Sequence, residues 1–266
     1  MFHLCYTQPD GKYLASGPSD GVGRIWTDTG KLKMLLKRHT GAIFSLHWSP
    51  NGRRLLTCGI DCSSVVWNPN SGDVVQQFTN HKAPVLDVAW KNDNTFVSCS
   101  QDHTLFAYEI GRQMPIRHLT GHSGEVNAVE FDPTGNILAS CSDDKTVRLW
   151  KLSEDSSVAT LSGHTSEIYS IQWSPACASY SPLLATASFD SYVKLWNPET
   201  GNVVNTLAHH TFVFLFFFFL SHHLFLSIHF SFFRVSPVIR YIVHASAIVV
   251  IILLVVLVTV KFAFGQ

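Results

Sequence analysis

The sequence predicts an all-β protein built from five copies of one four-stranded antiparallel unit, followed by a hydrophobic stretch of different character. Three observations carry that expectation. An aromatic residue recurs as Trp26, Trp67, Tyr108, Trp150 and Trp196, and an Asp precedes it by six residues each time: Asp20, Asp61, Asp102, Asp144 and Asp190. A hydroxyl precedes each Asp by four residues, as Ser16, Thr57, Ser98, Ser140 and Thr186, and an opening His returns as His39, His81, His122, His164 and His210. Between these markers lie short apolar runs separated by turn signals such as DPTG and SDDK, the pattern of strands joined by tight turns.

The unit is clearest from Gly121 to Trp150, GHSGEVNAVEFDPTGNILASCSDDKTVRLW. It reads strand, turn, strand, turn, strand, with a fourth strand after the Trp. A period of about 40–45 residues with these markers resembles the WD-repeat β-propeller, four strands to a blade. Blades are covered on both faces by their neighbours, which explains why runs such as ILASCS, LLATAS and RLLTCG do not alternate apolar with polar.

The resemblance implies a structural role for the recurring polar residues. The turn Asp would accept a hydrogen bond from the opening His, the His would reach the strand hydroxyl, and the hydroxyl the Trp ring nitrogen. That pairs His39 with Asp61 and His81 with Asp102. It also groups His122, Ser140, Asp144 and Trp150, and likewise His164, Thr186, Asp190 and Trp196. Such a network is costly when only partly satisfied. No nucleophile elbow, phosphate loop or metal-ligand set is present, so no catalytic residue, cofactor or metal site is expected.

The repeats divide residues 1–210 into blades at about 1–38, 39–80, 81–121, 122–163 and 164–210, with the hydrophobic tail at 211–266. The first begins directly at a strand, without a full opening. In the third, Tyr108 stands for Trp, and its phenol can still donate a hydrogen bond. The fifth is longer: His164 to Asp190 spans 26 residues against 22 from His122 to Asp144, and the excess falls in ACASYSP. The residue before each Asp (Ser19, Ile60, Gln101, Asp143, Phe189) is expected on the face that meets partners. Phe189 is the foremost anchor there, with packing on a neighbouring blade as its other reading.

Composition narrows the function classes. Three of the 19 basic residues and none of the 19 acidic ones lie in 212–266, so the blades carry three more acids than bases. That balance argues against direct, sequence-specific nucleic-acid binding through phosphate contacts. Cys58, Cys99 and Cys141 each precede a blade Asp by three residues, which marks one repeated strand position rather than a disulfide framework. Free buried thiols and the lack of a signal peptide suit the nucleus or cytosol.

Four stretches sharpen the resemblance. DGVGRIWTDTGKL, APVLDVAWKNDNTFVSCSQD, EVNAVEFDPTGNILASCSDD and ASFDSYVKLWNPETG are similar to the transducin beta-like subunits of nuclear receptor corepressor complexes. The resemblance covers about residues 3–208 and implies a protein-binding scaffold working beside histone deacetylases in the nucleus. Its expected partners are corepressor and deacetylase complex subunits, with histone tails as a further candidate. Against that family the chain is expected to be truncated at both ends, lacking the N-terminal dimerisation region and the last blades.

The tail departs from the pattern. Residues 212–266 hold 12 of the 19 Phe, and 241–260 contains no charge over a length sufficient to cross a bilayer core. One reading is a cytosolic adaptor anchored by a single helical span at 241–260. Another is translated intron sequence, since Phe, Leu, Ser and His share pyrimidine-rich codons.

Overall fold

The computed structural model of the chain describes residues 4–175 and 181–208. Part of the blade-five insertion (176–180), His210 and the whole tail with its apolar stretch 241–260 lie outside the described residues. Among the described residues no helix is long and apolar enough to cross a membrane.

The described residues form five four-stranded antiparallel sheets, each a meander whose strands pair in chain order. Blade one holds β1 (Leu4–Thr7), β2 (Tyr13–Gly17), β3 (Val22–Thr27) and β4 (Leu32–Lys37). Blade two holds β5 (Ile43–Trp48), β6 (Leu55–Gly59), β7 (Ser64–Trp67) and β8 (Val74–Phe78). Blade three runs through β9 (Val85–Trp90), β10 (Thr95–Ser100), β11 (Leu105–Glu109) and β12 (Arg117–Leu119). Blade four comprises β13 (Val126–Phe131), β14 (Leu138–Ser142), β15 (Thr146–Trp150) and β16 (Ala159–Ser162). Blade five closes the series with β17 (Ile168–Trp173), β18 (Leu184–Ser188), β19 (Val193–Trp196) and β20 (Val203–Leu207).

The core lies between sheets rather than within one. Ala15, Ile25 and Leu36 of blade one pack on Ile43, Leu46, Trp48, Leu55 and Trp67 of blade two. Apolar clusters fill the next three junctions too, each holding the aromatic that closes the third strand of the later blade, with Phe78 of blade two joining the first of them. The second strand is the deepest of its sheet: β6, β14 and β18 are buried at every position. Trp67, Trp150 and Trp196 are each at most 1% exposed. Trp26 of blade one is half-buried.

A second, polar set of bonds staples the junctions. The indole N–H of Trp48 donates to the Tyr6 carbonyl at 2.9 Å, that of Trp90 to His47 at 3.0 Å, and that of Trp173 to Glu130 at 3.1 Å. Blade four carries Phe131 at this position, which cannot donate. There the Asp87 carboxylate of blade three accepts the Val129 amide instead, at 3.1 Å.

The first strands share a further irregularity. The pairing of β5, β9, β13 and β17 with the second strand slips by one residue, a β-bulge at Phe44, Leu86, Asn127 and Tyr169. The amides just past three of these bulges (Ser45, Asp87 and Ala128) donate to the sulfurs of Cys58, Cys99 and Cys141. The repeated cysteines therefore serve as small, soft acceptors as well as fillers. Burial drives all three thiols far up from their ordinary range.

Native-state alkylation is expected to discriminate among the cysteines. Cys62 sits half-buried on a turn and should react ahead of the three buried cysteines. Cys58, Cys99 and Cys141 should label only as fast as the fold opens. Peptide-resolved mass spectrometry at mildly alkaline pH checks this; equal labelling of Cys62 and Cys141 would contradict the burial described.

Candidate functional site

In each blade the second strand ends in a tight turn, and that turn carries the Asp. The residue after it sits in the left-handed region: Gly21 (φ 76°), Cys62 (φ 61°), His103 (φ 68°), Lys145 (φ 69°) and Ser191 (φ 69°). Only the first is glycine, so the other turns hold a strained conformation against a cost of about 1 kcal/mol each. Hydrogen bonds to the Asp supply what holds them.

Blade four displays the arrangement in full. The Trp150 indole N–H donates to Ser140 Oγ at 2.9 Å, and the hydroxyl lies 2.8 Å from His122 Nε2. The other ring nitrogen, Nδ1, lies 2.7 Å from Asp144 Oδ2. The indole can only donate, so Ser140 Oγ accepts from it; an imidazole with its proton on Nδ1, donating to the carboxylate and accepting the hydroxyl proton at Nε2, satisfies every member of the chain. Asp144 also accepts the Ser123 amide at 3.1 Å, and the Thr146 hydroxyl and amide at 2.6 and 2.9 Å.

The same chain recurs through His39, Asp61, Thr57 and Trp67, with distances of 2.8 to 2.9 Å. It recurs again through His164, Asp190, Thr186 and Trp196, at 2.7 to 2.8 Å. In blade three His81 bridges Asp102 and Ser98 at 2.8 and 2.7 Å, and Tyr108 takes the place of the Trp, 1% exposed. Blade one retains the Trp26 to Ser16 bond at 2.9 Å, while its Asp20 pairs with Arg24 at 2.7 Å.

The electrostatics follow from this geometry. Burial alone would raise the Asp144 carboxyl, but hydrogen bonds from His122, Thr146 and the Ser123 amide outweigh it and hold it well below the usual carboxylate range. Asp61, Asp102 and Asp190 are lowered by the same balance. Burial pushes the His39 and His164 imidazoles down, against the pull of their Asp partners. These groups are engaged with one another, and no reacting atom is presented to solvent. Among the described residues no group of three or more His, Cys, Asp or Glu is arranged to hold a metal.

The residues just before each Asp share a backbone position but not a side-chain environment. The amides of Ile60, Gln101, Asp143 and Phe189 donate to the carbonyls of Ala42, Pro84, Glu125 and Glu167, which fixes the turn against the segment entering the first strand. Ser19 is exposed, and Ile60 is 48% exposed. Gln101 is tied to Glu125 at 3.0 Å, and Asp143 to the Asn127 amide at 2.7 Å. Phe189 is 51% exposed and packs edge-on against Tyr169 of its own blade, itself 44% exposed, with ring centroids 4.5 Å apart. Burial raises the Tyr169 phenol, and so do the carboxylates of Asp143, Glu167 and Glu125 around it.

Sequence reasoning missed Asn127 and Tyr169. Both are bulge residues, aimed at this face by the slipped register, and nothing in their local sequence marks a bulge.

Comparison with known proteins agrees with this geometry. The WD domain, G-beta repeat model matches residues 3–27, 30–68, 72–109, 113–151 and 155–197, together well over half of the chain. The chain belongs to the WD-repeat family. The last four matched segments each begin before the outer strand of one blade and end at the third strand of the next. Each of these four WD repeats thus covalently bridges two neighbouring sheets.

Over 129 residues the chain is 44% identical to the F-box-like/WD repeat-containing protein TBL1X of Mus musculus, covering 48% of this chain and 24% of that protein. It is likewise 44% identical over 129 residues to the WD40 repeat-containing protein HOS15 of Arabidopsis thaliana, covering 48% of this chain and 21% of that protein. The crystal structure of the C-terminal WD40 domain of Sif2 superimposes with a TM-score of 0.71 at 28% identity, covering 79% of this chain and 58% of that one. The fold is a WD-repeat β-propeller, of which the described blades form part. The chain spans about a quarter of the length of these curated relatives.

Two expectations follow for the WD-repeat network. Asp144→Ala should cost roughly 1–3 kcal/mol, the scale for stranding buried polar partners. Adding His122→Ala should then cost less than the sum of the single changes, because both belong to one network. Urea denaturation of the four cycle members checks this, and strict additivity would rule the coupling out.

Stability should also follow pH in two opposite ways. The lowered Asp and His values mean that the unfolded chain binds more protons, so stability falls as pH drops below about 6.5 and again below about 4. Glu130 behaves oppositely. Burial, together with Asp87, pushes its carboxyl up to about 8, against the Trp173 amide that donates to it. The folded state then holds that proton, and stability should decline as pH rises towards 8. Glu130→Gln should flatten that decline in thermal melts at stepped pH, leaving the acid side unchanged.

Proposed function

We propose that this chain is a non-catalytic protein-interaction scaffold of a nuclear corepressor complex, acting with histone deacetylases on chromatin. Its similarity to TBL1X, to HOS15 and to the SIR4-interacting protein SIF2 of Saccharomyces cerevisiae, 30% identical over 144 residues, supports that reading. The four corepressor-like stretches of the sequence support it as well. Fold likeness alone would not assign a role, since propellers serve many.

The observation that carries the proposal is the turn face at blades four and five. There the Tyr169–Phe189 pair stands half-exposed among the carboxylates of Asp143, Glu125 and Glu167. An aromatic anchor ringed by polar groups is the anatomy of a binding hot spot. Its negative surroundings favour a partner segment carrying Lys or Arg, through charge attraction and through contact of the cation with the ring faces. Ser19, Ile60 and Gln101 extend the same face across blades one to three.

The test is co-purification of deacetylase activity and corepressor subunits with the tagged chain from nuclear extract. Phe189→Ala and Asp143→Asn should each lower recovery about tenfold while shifting the melting temperature by no more than a surface change would. Recovery that is unchanged in both variants would sink the proposal.

A further inference from the structure

The four bulge positions offer one place where blades four and five become a single site. A β-bulge re-aims one side chain of its strand, and here it sends Phe44, Leu86, Asn127 and Tyr169 to equivalent places. Asn127 alone among them carries an amide. Its Nδ2 donates to Asp143 Oδ1 at 2.7 Å and to the Ile168 carbonyl at 2.9 Å. Both neighbours can only accept, which fixes the orientation of the amide and uses both of its N–H groups.

The two bonds point in different directions. Asp143 belongs to the turn of Asn127's own blade, whereas Ile168 begins the first strand of the next and immediately precedes Tyr169. One amide therefore sets the position of a carboxylate relative to the Tyr169–Phe189 pair across a blade junction. Neither Phe44 nor Leu86 could do this, for want of a donor.

We propose that Asn127 is a positioning residue: it holds the Asp143 carboxylate beside the Tyr169–Phe189 pair, so that blades four and five together receive one arginine or lysine side chain of a partner segment. The proposal rests on the reading of this face given above. The guanidinium or ammonium lies against an aromatic face and is paired with Asp143, while the aliphatic stem of the side chain covers the exposed edge of Phe189. Without the Asn127 clamp the carboxylate keeps its charge but loses its fixed place, and some of the binding energy goes to ordering it again.

Asn127→Leu is the informative variant, because Leu86 already occupies the equivalent bulge and shows that the backbone accepts leucine there. Binding of a fluorescent, arginine- and lysine-rich synthetic peptide to the full chain would be followed by anisotropy. Asn127→Leu should weaken it roughly five- to tenfold, and the loss should vanish in an Asp143→Asn background while persisting in a Phe189→Ala background. A purely structural role for Asn127 would instead lower affinity equally in every background.

Wild-type affinity in Asn127→Leu, or an equal loss with and without Asp143, would overturn the positioning role while the face itself stands. Peptide binding indifferent to both Asp143→Asn and Phe189→Ala would overturn the face, and the positioning role with it.

Discussion

A buried carboxylate in the turn between the second and third strands is the constraint from which the rest of the blade follows in blades two to five. That turn passes through a left-handed residue that is usually not glycine, so something must hold it closed. The Asp does so by collecting donors from both sides: the imidazole and following amide of the entering segment, and the hydroxyl or amide of the strand that leaves. The imidazole passes the demand inward to a strand hydroxyl, and the indole, a pure donor, ends the chain. A Trp at one strand end, a hydroxyl in mid-strand and a His ahead of the blade are thereby placed relative to one another. In blades two to five every member of the network is largely buried.

Because this network is internal to a blade, the blades must be joined by other means. Apolar faces meet at each junction, where the aromatic closing the third strand of the later blade packs on the blade before it. Stability is then approximately a sum of blade and junction terms rather than the property of one central core. The indole-to-carbonyl bonds of Trp48, Trp90 and Trp173 add direction, since a face of hydrocarbon alone would tolerate sliding. Where Phe131 breaks that series, the Asp87 carboxylate reaches across to the neighbouring strand. Two chemistries thus meet the same need to keep adjacent first strands in step.

The division of labour between scaffold and surface follows from the turn. Its backbone is fixed by the Asp and by the amide of the residue before it, so that residue's side chain is free to vary without loosening the fold. Ser19, Ile60, Gln101, Asp143 and Phe189 differ in size, polarity and charge while their backbones repeat. The bulge in the first strand brings a second variable side chain beside the first, giving the polar pair Asn127–Asp143 and the aromatic pair Tyr169–Phe189 on adjacent blades. A surface of independently variable pairs on an invariant frame suits recognition of a protein segment, and it needs no catalytic group.

The sequence alone determined the repeat, the strand order and the membership of each polar network. These depend on residue types that only a few geometries satisfy, at a spacing that recurs. It also placed Phe189 and Asp143 on the turn face, since their position relative to the Asp is fixed by the turn. What only the tertiary structure decided depends on neighbouring blades and on backbone register. The role of Cys141 as an acceptor for the Ala128 amide, the indole bonds to carbonyls about forty residues away, and the convergence of Asn127 and Tyr169 on one face are of this kind. A bulge adds one residue without changing composition or hydrophobic pattern, so its effect on where a side chain points appears only once the strands are paired.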